Sequence, residues 1–250
     1  WATFSTRIIM LIMMISFVLN SKKLQKYDPS FHFRRFDLGM MKRILKIGIP
    51  SGVQYLFEGG AFIASAFLVG MIGKLELAAH QIAINLASLT YMVSLGLSMT
   101  ASVRIAGQVG KKDSEGVKIV GYGSIGLILV IMFLTGLSFI LFNTVFPTFY
   151  INDADVISIA SGLLIVAAAF QLSDGVQAVG LGILRGLSDV KIPTRITFIA
   201  YWVIGLPVGY FLGFYTELSV YGIWWGLTIG LTVSATLLSL RFRHLSSLNP

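Results

Sequence analysis

No cysteine occurs in the 250 residues, which excludes disulfide bridges, thiolate metal sites and thiol nucleophiles and leaves the redox compartment open. Charge is scarce as well. Asp, Glu, Lys and Arg make up 12% of the chain, about half of the ~25% usual in soluble domains. Hydrophobic residues make up 56%, more apolar side chain than one soluble core of this length can bury. The composition is that of an integral membrane protein. No HExxH, Walker A, GxSxG or aspartate-rich prenyl-diphosphate motif is present, so the chain is read as a non-enzyme without a cofactor. The net charge of +8 implies no nucleic-acid partner, because the basic residues gather in alternate short loops.

Apolar stretches long enough to span fall at about 2–20, 47–73, 77–103, 118–146, 156–184, 194–214 and 219–240, judged by the ~20-residue requirement. This predicts an all-α polytopic membrane protein of about seven transmembrane helices. Lys22, Lys23, Lys26, Arg34, Arg35, Lys42, Arg43 and Lys46 crowd the loop 21–46. Basic residues recur at Lys111, Lys112 and Lys118, at Arg185, Lys191 and Arg195, and at Arg241 and Arg243. The intervening loops hold little positive charge beyond Lys74 and carry Glu76, Asp153, Asp155 and Glu217. The positive-inside rule then puts the basic loops and the C-terminus in the cytoplasm. Span 1–20 is left without a partner, the six spans of 47–250 form one bundle, and the basic loop is the expected joint between two bundles. A start at Trp1, inside an apolar run with no charged leader, reads as the interior of a longer protein.

Glycines spaced by four, Gly48 with Gly52 and Gly182 with Gly186, are expected to let helices approach closely. Pro50 reads as a first-turn proline and Pro207 as the bend of its span. His80 is expected to be an interfacial or helix-packing histidine, ahead of a proton relay, and Trp224 and Trp225 to join an interfacial belt.

Two acids lie deep in spans. Asp174, in FQLSDGVQAVGLGILRG, is eleven residues before Arg185, or ~16 Å into an apolar layer ~30 Å thick. Glu58, in LKIGIPSGVQYLFEGG, is twelve residues past Lys46, or ~18 Å from the same edge. The acids therefore share a depth on helices that run in opposite directions. Ionisable groups at such depth face a protein interior or a wet cavity. Polar stripes accompany them: Ser51, Gln54, Glu58 and Ser65; Gln171, Asp174 and Gln177; Gln81, Asn85 and Ser88 on the span between. Since lipid satisfies none of these groups, the stripes should converge on a polar, acidic pocket. Two carboxylates without a cationic partner repel when both are ionised, so they share a proton or take a metal cation in its place. The pair reads as a carrier of H+ or Na+, its oxygen ligands suiting a hard cation.

LKIGIP, LFEGGAF, LAAHQIAIN, QLSDGVQAVGLGILRG and AYWVIGLPVGY together resemble the C-terminal part of MATE multidrug and toxin extrusion transporters, in their NorM-like branch. The resemblance implies twelve helices in two six-helix lobes. Residues 1–20 would then be the last helix of the N-terminal lobe, 21–46 the interlobe loop and 47–250 the C-terminal lobe, with the remainder of the N-terminal lobe supplied by the same chain. It further implies that Glu58 and Asp174 carry the coupling cation, or Na+ as a metal, and that Asn85 contributes to the same site, with Gln54, Gln81 and Gln177 as polar support. A tyrosine found in some relatives one turn before the aspartate is Phe170 here, which removes a phenolic ligand and favours H+. The expected activity is export of organic cations from the inner membrane in exchange for H+ or Na+. The alternatives are a lipid-linked oligosaccharide flippase of the same superfamily, a membrane-embedded enzyme using the acids as acid and base, and a structural subunit.

Overall fold

The computed structural model describes residues 2–21 and 37–248. Lys22, Lys23, Lys26, Arg34 and Arg35 of the basic loop lie outside the described residues, as do Trp1 and Pro250. The described chain is helical, without strands: α1 (Ala2–Asn20), α2 (Leu38–Ile72), α3 (Lys74–Lys111), α4 (Ser114–Leu141), the short α5 (Val145–Thr148), α6 (Ala154–Gly186), α7 (Lys191–Phe198), a π-helical stretch (Ile199–Gly205), α8 (Leu206–Phe214) and α9 (Val220–Leu248). Trp1–Arg43 forms one compact unit, holding α1 and the start of α2, and Ile44–Pro250 forms the other.

Among the described residues, six helices are long and apolar enough to cross a membrane, with α7 to α8 counting as one, and Phe4–Asn20 adds a shorter apolar helix. The chain is a multi-pass membrane protein.

Aspartates set several helix starts. The Asp37 carboxylate accepts from the backbone N–H groups of Gly39 and Met40 at 2.8 and 3.1 Å, and so opens α2 well before the apolar run begins. Pro50 consequently sits inside the helix and not in its first turn. Asp153 accepts from the N–H groups of Asp155 and Val156 at the start of α6.

In the larger unit α6 is the central helix: 21 of its 33 residues are buried, against α3, α4 and α9. Gly182 and Gly186 fit against the carbonyls of Ser98 and Ser102 on α3. A Cβ on Gly186 would meet the Ser102 oxygen at 2.6 Å, so the spacing by four does produce a close helix crossing here. Gly48 and Gly52 have nothing within 4 Å of the same position.

Two apolar clusters divide α6 along its length. One takes Val156 to Phe170 with Tyr201 and Trp224; the other takes Val179 to Leu184 with Ile128, Met132 and Phe242. Between them lies the buried layer of Gln171, Asp174 and Gln177.

Pro207 follows the π-helical stretch Ile199–Gly205, near the first position of α8. Proline lacks the N–H that an α-helix would use and its ring crowds the preceding turn, which the wider turn relieves. Trp224 departs from its expected place in an interfacial belt. It is fully buried, while Trp225 is 40% exposed, because neighbours on a helix point ~100° apart and only one of them can face the bilayer.

Candidate functional site

Three helices enclose a cavity of 610 Å³ whose lining includes Tyr55, Glu58 and Phe62 of α2, Ser88, Tyr91, Met92 and Met99 of α3, and Phe170 and Asp174 of α6. Both acids belong to this lining, at 6% and 5% exposure. They face the same cavity from two helices. The lining contains no lysine or arginine, and two negative charges without a counter-ion in a low-dielectric wall favour uptake of a positive one.

Several polar atoms are arranged around the acids. The Tyr91 hydroxyl shares the cavity lining with Glu58. Gln177 Nε2 donates to the Tyr201 hydroxyl at 2.9 Å, and the Thr135 hydroxyl donates to Gln171 Oε1 at 3.0 Å. Glu58 Oε2, Gln54 Nε2, Gln171 Nε2 and Gln177 Oε1 are buried without a hydrogen-bond partner among the described residues. Each is costly in an apolar layer unless a ligand or water meets it.

The stripes of α2 and α6 lead inward as expected: Gln54, Glu58 and Ser65, and Gln171, Asp174 and Gln177, are buried. Gln54 and Gln177 stand behind the cavity wall and are not part of its lining. The stripe of α3 does not converge on the others. Gln81 and Asn85 are exposed, and the Asn85 side-chain oxygen accepts from the Tyr150 hydroxyl at 2.8 Å; only Ser88 of that stripe reaches the lining. The buried face of α3 is rich in small residues, Ala79, Ala83, Ala87, Ser94 and Ser98, with the Ser98 hydroxyl donating to the Ala178 carbonyl at 2.6 Å. Close packing between helices favours such residues over amides. Phe170 lines the cavity with its ring held edge-on between Phe62 and Trp224, at 6.1 and 5.4 Å.

Tyr55 and Tyr91 are lining residues that the polar stripes alone did not single out. The signal was available, since Tyr91 is three residues past Ser88 and Tyr55 three before Glu58, both in phase with a polar stripe. The Arg185 guanidinium, near the end of α6, sits 5.6 Å from the centre of the Tyr55 ring, outside the lining itself.

A family model, MatE, matches residues 50–211. Among curated proteins, the chain is 36% identical over 245 residues to a probable multidrug resistance protein NorM of Xylella fastidiosa, covering 97% of this chain and 52% of that protein. It is 40% identical over 218 residues to the multidrug resistance protein NorM of Burkholderia vietnamiensis, covering 85% and 47%. The chain thus spans about half the length of the curated relatives it matches. Among solved structures, the fold resembles a eukaryotic MATE transporter, AtDTX14, with a TM-score of 0.85 at 21% identity, covering 96% of this chain and 55% of that one. It also resembles a multidrug resistance MATE family transporter of the MOP superfamily in an outward-facing conformation, with a TM-score of 0.84 at 19% identity over 99% and 56%.

Proposed function

From the premise that this chain belongs to the MatE family, we propose that it is the C-terminal part of a two-lobed secondary antiporter that exports organic cations from the inner membrane in exchange for H+ or Na+. In this reading residues 1–20 end the N-terminal lobe, 21–46 join the lobes, and 47–250 form the C-terminal lobe with its C-terminus in the cytoplasm. Glu58 and Asp174 carry the coupling cation. Asn85, bonded to Tyr150 outside the lining, has no assigned part in the cation site.

The observation that carries the reading is the pair of acids on two helices, lining one cavity without a basic residue in its wall. Cation and drug drive transport only through a difference in affinity between the two facing states of the lobes. A bound cation removes the repulsion between the carboxylates, so loading favours a packing of α2 against α6 that the doubly charged pair opposes. A flippase acting on a lipid-linked pyrophosphate would need a cationic wall, and this wall is acidic.

The test is efflux of a fluorescent organic cation from proteoliposomes holding the twelve-helix protein that contains this sequence. A pH gradient and a Na+ gradient are imposed in turn, with Glu58→Gln and Asp174→Asn alongside. Drive by one gradient that disappears in both variants supports antiport and names the ion. Wild-type drive in either variant overturns the assignment of that acid, and a wild-type protein indifferent to both gradients overturns antiport.

A further inference from the structure

The π-helical stretch places two consecutive aromatic residues so that each holds one of the acid-bearing helices. Tyr201 is fully buried, and its hydroxyl accepts from Gln177, one turn beyond Asp174 on α6. Trp202 donates its indole N–H to the Phe57 carbonyl at 3.0 Å, at the residue immediately before Glu58 on α2. The Trp202 ring also lies against Gly60, where a Cβ would come within 3.2 Å of it.

Tyr201 is also in register with the cavity. Its ring meets Phe62 edge-on at 5.9 Å, and Phe62 forms part of the wall. Since the Tyr201 oxygen takes a hydrogen from Gln177, its own hydrogen is left for a further acceptor. The wide turn, stabilised by Pro207 behind it, changes the angle between successive side chains, and reverting to α geometry would rotate Tyr201 or Trp202 off its partner. π-Bulges inside α-helices are frequently found at functional sites.

We propose that Tyr201 and Trp202 are positioning residues for the carboxylate pair: the π-helical stretch bridges α2 and α6 and sets the separation of Glu58 and Asp174 in the cation-loaded packing, and with it the affinity and selectivity for the coupling cation. This inference rests on the reading that the pair carries that cation. A clamp on separation should act on cation binding alone, leaving drug binding and the rate of the loaded transporter unchanged.

Tyr201→Phe and Trp202→Phe each remove one hydrogen bond and keep an aromatic ring. In the twelve-helix protein in proteoliposomes, each is expected to raise the concentration of driving cation that half-saturates efflux by about fivefold, the worth of one such bond. Both are also expected to alter the ratio of Na+ to Li+ drive if Na+ is the wild-type ion. The maximal rate and the half-saturating drug concentration should stay near wild type, while Tyr201→Phe, which strands the buried Gln177 donor, also lowers the detergent unfolding temperature. Trp225→Phe, on the exposed face, serves as the control. Should Tyr201→Phe fail to fold, Trp202→Phe carries the test. Cation half-saturation within twofold of wild type in the folded variants, with Asp174→Asn inactive, overturns the clamp and leaves the carboxylate reading standing. A loss confined to the maximal rate overturns the clamp in the same way. Cation drive surviving in Asp174→Asn overturns the carboxylate reading itself.

Discussion

Trp224 on α9 donates its indole N–H to Nδ1 of His80 on α3 across 3.0 Å, with both side chains buried and their rings at 69°. An Nδ1 that accepts is unprotonated, so His80 carries its hydrogen on Nε2 and is neutral in this arrangement. The pair joins two helices of the larger unit and supports the Phe170 ring, which touches Trp224.

Replacing His80 by Leu strands a buried indole donor. The expected cost is about 1–3 kcal/mol of stability, visible as a lower unfolding temperature in detergent. His80→Gln, which keeps an acceptor, should lose less. Equal losses in the two variants would show that the hydrogen bond is not what His80 supplies.

Glycine pairs with the same spacing should respond with opposite signs. Gly186→Ala forces a Cβ against the Ser102 carbonyl and Ile105, and overpacking of this kind costs roughly 1–3 kcal/mol. Gly52→Ala adds a methyl to open space and should stabilise α2 by up to about 1 kcal/mol through helix propensity. Thermal unfolding of the two variants in one detergent checks both, and a destabilised Gly52→Ala would mean that this face is packed in the membrane.

Asn85→Ala and Tyr150→Phe each break the same exposed hydrogen bond, so they should give the same small loss of stability, about 0.5–1.5 kcal/mol. Neither should change the cation concentration that half-saturates efflux. A shift in that concentration for Asn85→Ala alone would return Asn85 to the cation site.

Arg241 Nε donates to Asp189 Oδ2 at 2.8 Å, with the side chains 27% and 16% exposed. Asp189→Asn removes the charge but keeps an acceptor. An ion pair this accessible contributes on the order of 1 kcal/mol or less and weakens with salt. The difference in unfolding temperature between the variant and wild type should therefore shrink from low to high ionic strength.

Much of this protein is determined by sequence alone, because the bilayer is a simple solvent. Backbone polar groups must be satisfied within each span, so the apolar runs determine that the fold is helical and where the six long helices run. The expense of a deep charge singles out Glu58 and Asp174, and their similar distances from Lys46 and Arg185 put them at one depth. Helix phase brings the α2 and α6 stripes inward.

Side-chain chemistry alone did not decide which face of α3 turns to α6. Lipid exclusion argues for burying Gln81 and Asn85, but packing buries Ala83 and Ala87 of α3 instead, and sets Ser98 and Ser102 against Gly182 and Gly186. Trp224 and Trp225 are equally apolar in sequence, and only the neighbour at His80 distinguishes them. The widened turn before Pro207 likewise depends on tertiary packing. A proline states that a helical bond is lost, but where the backbone compensates, and which side chains it thereby redirects, follows from what Tyr201 and Trp202 find on α6 and α2. Periodicity along one helix is local and legible; the choice among its faces is a competition between helices, and only the assembled bundle decides it.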